Sequence, residues 1–162
     1  MIWFIVLSLL TTMYLIFAAV MDIREKKIYS FPAIALAFSW SIYLIVAGNY
    51  ESAYLMPLWI IHILVITCLN AFKVWGVGDS DVSLLMVAAL LVAFPLDDPA
   101  LVVLAECLAL IVALLVAFMT GLIEFKIRKM QINLHSRMAL VPGFAFAIIT
   151  CLIFELIRMV GI

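Results

Sequence analysis

Charge is scarce in this sequence. Only 12% of the 162 residues are charged and 70% are hydrophobic, whereas a soluble domain sits nearer half apolar. That much apolar surface exceeds what one soluble core can bury, so the composition points to an all-α integral membrane protein. A formal net charge of -1 offers no basic surface for nucleic acid. Cysteine is equally sparse. Cys68, Cys107 and Cys151 each lie inside an apolar run with no CxxC spacing, which excludes a disulfide framework or a zinc site; they read as small core residues. Met1 to Met21 contains no charged side chain, so the basic segment that opens a cleaved signal peptide is missing. The run reads as a retained first span. Repeats, low-complexity tracts and a soluble domain are also lacking, leaving a single polytopic domain over 1–162.

What is present is a series of six apolar runs: Met1–Met21, Phe31–Ala47, Ala53–Phe72, Val82–Leu96, Pro99–Ile123 and Met138–Ile157. Six transmembrane helices satisfy the requirement that backbone groups in lipid bond within their own segment. The breaks read "DIREKKIYS", "GNYES", "KVWGVGDSD", "LDDP" and "EFKIRKMQINLHSR". The fourth run is short, since its residues at about 1.5 Å each reach only roughly 22 Å across a hydrocarbon core of about 30 Å. Either its helix extends into the polar flanks or the bilayer thins there, and both draw Asp79 and Asp81 toward the membrane boundary. Arg24, Lys26, Lys27, Lys73, Lys126, Arg128, Lys129 and Arg137 all fall in the first, third and fifth breaks, and the even breaks hold no Lys or Arg. The positive-inside rule then puts the odd loops in the cytoplasm and the N-terminus outside.

Two aspartates end up on that side. Asp22 directly follows the first run in "LIFAAVMDIREKK", and Asp79 precedes the fourth in "WGVGDSDVSLL". Each has an ordinary explanation. Asp22 can pair with Lys26 one helical turn on. Asp79 can belong to a turn in which Gly76 and Gly78 supply backbone freedom. Together they suggest chemistry, because ionisable groups at membrane depth are costly and are functional candidates. Two carboxylates brought close share a proton, so that one member polarises a carbonyl while the other activates water. Gly76 and Gly78 would let an extended substrate backbone approach. The set of residues calls for no metal or other cofactor.

Asp22 after the first helix, the basic loop "DIREKKI" and GxGD before a later helix resemble the type IV prepilin peptidases, a family of membrane aspartyl proteases. The similarity spans nearly the whole chain, and "ALVPGFAFAI" loosely resembles the start of the family's last helix. The resemblance implies an endopeptidase of the prokaryotic cell membrane that removes a short basic leader from pilin-like precursor proteins. It makes Asp22 and Asp79 the catalytic pair. Without a cysteine-rich cytoplasmic segment, the chain looks like the short, peptidase-only branch. The family usually reads Ile-Pro-Asn where this chain has Ile28, Tyr29 and Ser30. It usually has lysine where Asp81 stands and an apolar residue where Ser83 stands. Asp81 can help hold a basic leader, or it can cap the N-terminus of the fourth helix.

Glu106 and His62 lie inside spans. Each reads as a contact with another helix, and Glu106 also as a candidate for a proton path. Trp75 suits an interfacial anchor, and Lys126, Arg128 and Lys129 suit contact with anionic lipid. Two other functions remain open: a different GxGD intramembrane protease, or a small six-helix transporter or assembly subunit using the aspartates as ion sites.

Overall fold

The computed structural model describes residues 2–71, 77–94, 98–129 and 139–161. It contains six helices: α1 (Ile2–Glu25), α2 (Ser30–Val46), α3 (Ser52–Ala71), α4 (Val77–Ala93), α5 (Pro99–Arg128) and α6 (Val141–Val160). Every described element is helical, and α1, α5 and α6 are long and apolar enough to cross a membrane. Their outward faces carry large apolar side chains, such as Leu9, Met13 and Phe17 on α1 and Leu108, Leu115 and Phe118 on α5. An exposed apolar surface of that extent belongs in lipid. The chain is an all-α multi-pass membrane bundle.

Three helices run four or more residues past the ends expected from hydropathy. Nothing in "DIRE" breaks a helix, so α1 continues through Asp22 to Glu25. It stops where Lys26 takes a left-handed backbone conformation, φ 54°, and its amide bonds back to the Asp22 carbonyl at 3.1 Å. The same geometry at Lys129, φ 52°, ends α5 at Arg128 rather than Ile123. The start of α5 was legible: Asp98 accepts from the Ala100 amide at 2.9 Å, and Pro99 occupies a first-turn position where its missing N–H costs nothing. The fourth helix begins at Val77, so it extends into its polar flank and takes in Asp79 and Asp81.

α4 is also the most enclosed helix. Val82, Ser83 and every residue from Leu85 to Ala93 are buried, on all sides of the helix, because α4 packs against α2, α3, α5 and α6. A helix that is apolar all round belongs inside protein. The carboxylates at its start therefore border the bundle interior rather than open lipid. Two of the cysteines correct the expectation of core residues: Cys68 and Cys107 are exposed and Cys151 is half-buried. On helices surrounded by lipid an apolar position need not face the core.

The second hub is α6, which packs against α5, α4 and α1. Its approach to α5 is set by Gly143. A Cβ built there would sit 1.9 Å from the Ala113 carbonyl oxygen and 3.1 Å from the Ala117 Cβ. Backbone meets backbone at this crossing, as small residues permit in membrane bundles. Gly143→Ala is expected to destabilise the protein by at least the about 1–3 kcal/mol typical of overpacking, because the opposing atom is main chain and cannot rotate away. Thermal unfolding in detergent micelles measures this; a melting temperature equal to wild type would contradict the close crossing.

Candidate functional site

The end of the bundle rich in basic residues gathers most of the residues singled out from sequence. Asp22 projects from the last turns of α1 and is 4% exposed. Its Oδ2 accepts a hydrogen bond from the Val141 amide at 3.1 Å, and the Leu140 amide also acts on it. Val141 is the first residue of α6, and Leu140 before it supplies no side-chain cap. The first amides of a helix lack intrahelical acceptors. Asp22 thus caps a helix 119 residues away in sequence, with its carboxyl at the positive end of the α6 dipole.

The expected pairing of Asp22 with Lys26 is corrected. Lys26 Nζ lies 2.9 Å from Glu124 Oε2 on α5 and 3.2 Å from Oε1. Lys26 and Glu124 both remain within electrostatic range of Asp22, so the three form one charged cluster spanning α1 and α5. The segment after α1 is held down separately. The Tyr14 hydroxyl donates to the Tyr29 carbonyl at 2.9 Å, and Phe17 stacks on Tyr29 with ring centroids 6.3 Å apart.

Asp79 lies in the first turn of α4 and is half-buried. It is helical rather than part of a turn. Gly78 beside it has no left-handed backbone; a Cβ there would come 3.1 Å from the Cβ of Ile28. What closely approaches Gly78 is a side chain of the protein itself, six residues after Asp22. Asp81, in turn, interacts electrostatically with Tyr14 of α1. These two contacts set the first turns of α4 beside the segment that follows α1 and within electrostatic range of Tyr14 in the middle of α1, and both helices pack on α6. Asp22 and Asp79 consequently share one end of the bundle.

Asp81 is not an N-cap, because α4 starts four residues earlier at Val77. Gly76, Trp75, Lys73 and Arg137 lie outside the described residues. Among the described residues no group of three His, Cys, Asp or Glu side chains converges as a metal would require. Sequence reasoning missed Glu124 and the α6 entrance at Leu140–Val141 as members of the site. The only signal was the "EFK" acidic residue inside an otherwise basic break and the proline at the second position of α6.

Asp22→Asn keeps an oxygen acceptor for the Val141 amide and is expected to unfold within about 1 kcal/mol of wild type. Asp22→Ala leaves a buried N–H unpaired and is expected to cost about 1–3 kcal/mol. Chemical denaturation of the two variants in micelles measures the difference, and equal stability would show that the α6 cap is dispensable. No protein-family model matches the chain, and no curated protein or solved structure matches it either.

Proposed function

We propose that this protein is a membrane aspartyl endopeptidase of the prepilin-peptidase kind, cutting the short basic leader from pilin-like precursors at the cytoplasmic face. The observation that carries the proposal is the common location of Asp22 and Asp79. They come from helices far apart in sequence and lie at the same, basic end of the bundle, where Asp22 bonds the first amide of α6 and α4 packs against α6.

Peptide hydrolysis by two carboxylates needs one proton shared between them. The ionised member takes a proton from the attacking water, while the protonated member donates to the scissile carbonyl oxygen, whose charge grows as the tetrahedral intermediate forms. The proton then passes to the leaving amine, and the pair returns to its singly protonated state. That proton belongs to the pair, so neither aspartate has a permanent acid or base role. Burial of Asp22 limits the water around it. The amides at the α6 entrance orient its carboxyl without adding a competing proton donor of catalytic strength. The substrate's apolar helix would remain in lipid against the bundle. Its basic leader would meet the acidic side chains at this end, with Asp81 the candidate contact, since Glu124 is engaged by Lys26.

The test is cleavage of a pilin-like precursor co-expressed with wild type, Asp22→Asn or Asp79→Asn, followed by the mobility shift of the shortened product. Wild type is expected to cleave. Each asparagine variant, present in membranes at wild-type level, is expected to lose at least about a hundredfold in rate, at the lower end of what general acid–base catalysis contributes. Cleavage that persists in either variant would remove the paired-aspartate mechanism. A wild type inert toward several precursors would instead favour an ion-handling role for the same carboxylates.

A further inference from the structure

A second polar group lies deeper in the bundle and is not used by this mechanism. His62 of α3 and Ser83 of α4 are fully buried, and Glu106 of α5 is 7% exposed. His62 Nδ1 contacts Glu106 Oε1. His62 Nε2 lies 3.2 Å from Ser83 Oγ, and Ser83 Oγ donates to the Ser80 carbonyl at 2.6 Å. The chain Glu106–His62–Ser83–Ser80 therefore links three helices and ends one residue from Asp79.

Counting protons along this chain settles what it can do. A backbone carbonyl only accepts, so the single hydroxyl hydrogen of Ser83 lies between Oγ and the Ser80 oxygen. Ser83 Oγ must then accept from His62, which puts a hydrogen on Nε2. The remaining contact, Nδ1 to Glu106, needs one proton of its own, either on the carboxyl or on the ring. In both forms the His–Glu pair is electrically neutral overall, which suits a buried site. The order Ser–His–carboxylate matches that of a hydrolase triad, but here the hydroxyl hydrogen points away from the imidazole and Ser83 has no exposed surface for a substrate to reach. Nor is the chain a conduit, because a backbone carbonyl cannot pass a proton on.

We propose that Glu106, His62 and Ser83 form a single-proton brace that holds the first turn of α4, and with it Asp79, at the position cleavage requires. The inference rests on the protease reading for its consequence, though not for its existence. Glu106, His62 and Ser83 are positioning residues: they are buried away from the surface and act through the Ser80 carbonyl. Without the brace, the first turn of α4 keeps its helical bonds but loses its anchor to α3 and α5. Small displacements of a reacting group are costly to rate while leaving binding largely intact.

The experiment compares wild type with Glu106→Gln, Glu106→Ala and Ser83→Ala in micelles, using two readouts. The first is hydrogen–deuterium exchange in peptides covering residues 77–84. The second is precursor cleavage, with kcat and KM measured separately. The Gln amide can donate to Nδ1 and preserve the proton order, so Glu106→Gln is expected to match wild type in exchange and to keep kcat within about twofold. Glu106→Ala and Ser83→Ala are expected to speed exchange in that segment and to lower kcat about tenfold or more with KM little changed. Unaltered exchange in folded Ser83→Ala and Glu106→Ala would overturn the brace, whatever the activity. Faster exchange with unchanged kcat would overturn its positioning role. Glu106→Gln behaving like Glu106→Ala would overturn the single-proton assignment. If exchange responds as expected but wild type cleaves no precursor, the brace stands and the protease reading falls. The two failures are thereby distinguishable.

Discussion

The structure depends on how α6 enters the bundle. At its first turn the chain must satisfy amides that have no helical partner, and in the same turn it must pass α5 at backbone distance. Asp22 meets the first requirement through Val141, and the missing side chain of Gly143 meets the second. Because α1, α4 and α5 all rest on α6, one carboxylate and one absent Cβ position three other helices. In a bilayer, where lipid tails compete equally for apolar surface, such local fits decide helix association. Asp22, proposed above for chemistry, is therefore also a structural keystone, and its capping bond holds the carboxyl at a fixed place at the α6 entrance.

Several polar side chains of the interior tie separate elements together. The Trp40 indole donates to Thr11 at 2.9 Å and the Tyr50 hydroxyl to the Leu91 carbonyl at 3.1 Å. Lys26 reaches Glu124, and His62 spans Glu106 and Ser83. Each bond joins different helices or joins a helix to the loop beside it. A polar group in apolar surroundings is costly unless paired, so each pair selects one register out of the many that apolar packing alone would tolerate. The Lys26–Glu124 bridge does more, since it ties down a residue whose backbone is in a strained left-handed region. The strain sits four residues after Asp22, where the chain must leave α1 and turn toward α2.

Hydropathy and charge made six helices, their order and the basic end of the bundle legible without coordinates, because the bilayer imposes a length and an apolar composition that each segment must meet alone. Those signals are local. They misjudged ends where a helix continues through charged residues, as at "DIRE" and "EFKIR", since no lipid requirement stops a helix in the interfacial region and only a left-handed residue did so. The GxGD motif was visible as a motif, but Gly78 proved to accommodate Ile28 rather than to make a turn, and Asp81 fell inside the helix it was expected to cap.

Which face each helix turns inward was beyond the sequence. α3 and α5 are otherwise apolar nearly all round, so although His62 and Glu106 each read as a contact with another helix, nothing in the pattern said that they would meet each other, or that Cys68 and Cys107 would face outward. In a soluble protein the polar face marks the outside; in lipid both faces are apolar and the mark is lost. Residue identity alone determined that the chain spans a membrane, how many helices it forms and which residues are capable of chemistry. Only tertiary packing decided that Asp22 caps α6, that Lys26 turns to Glu124, and that α4 stands enclosed with Asp79 at its mouth, because those outcomes depend on contacts between residues up to 119 positions apart.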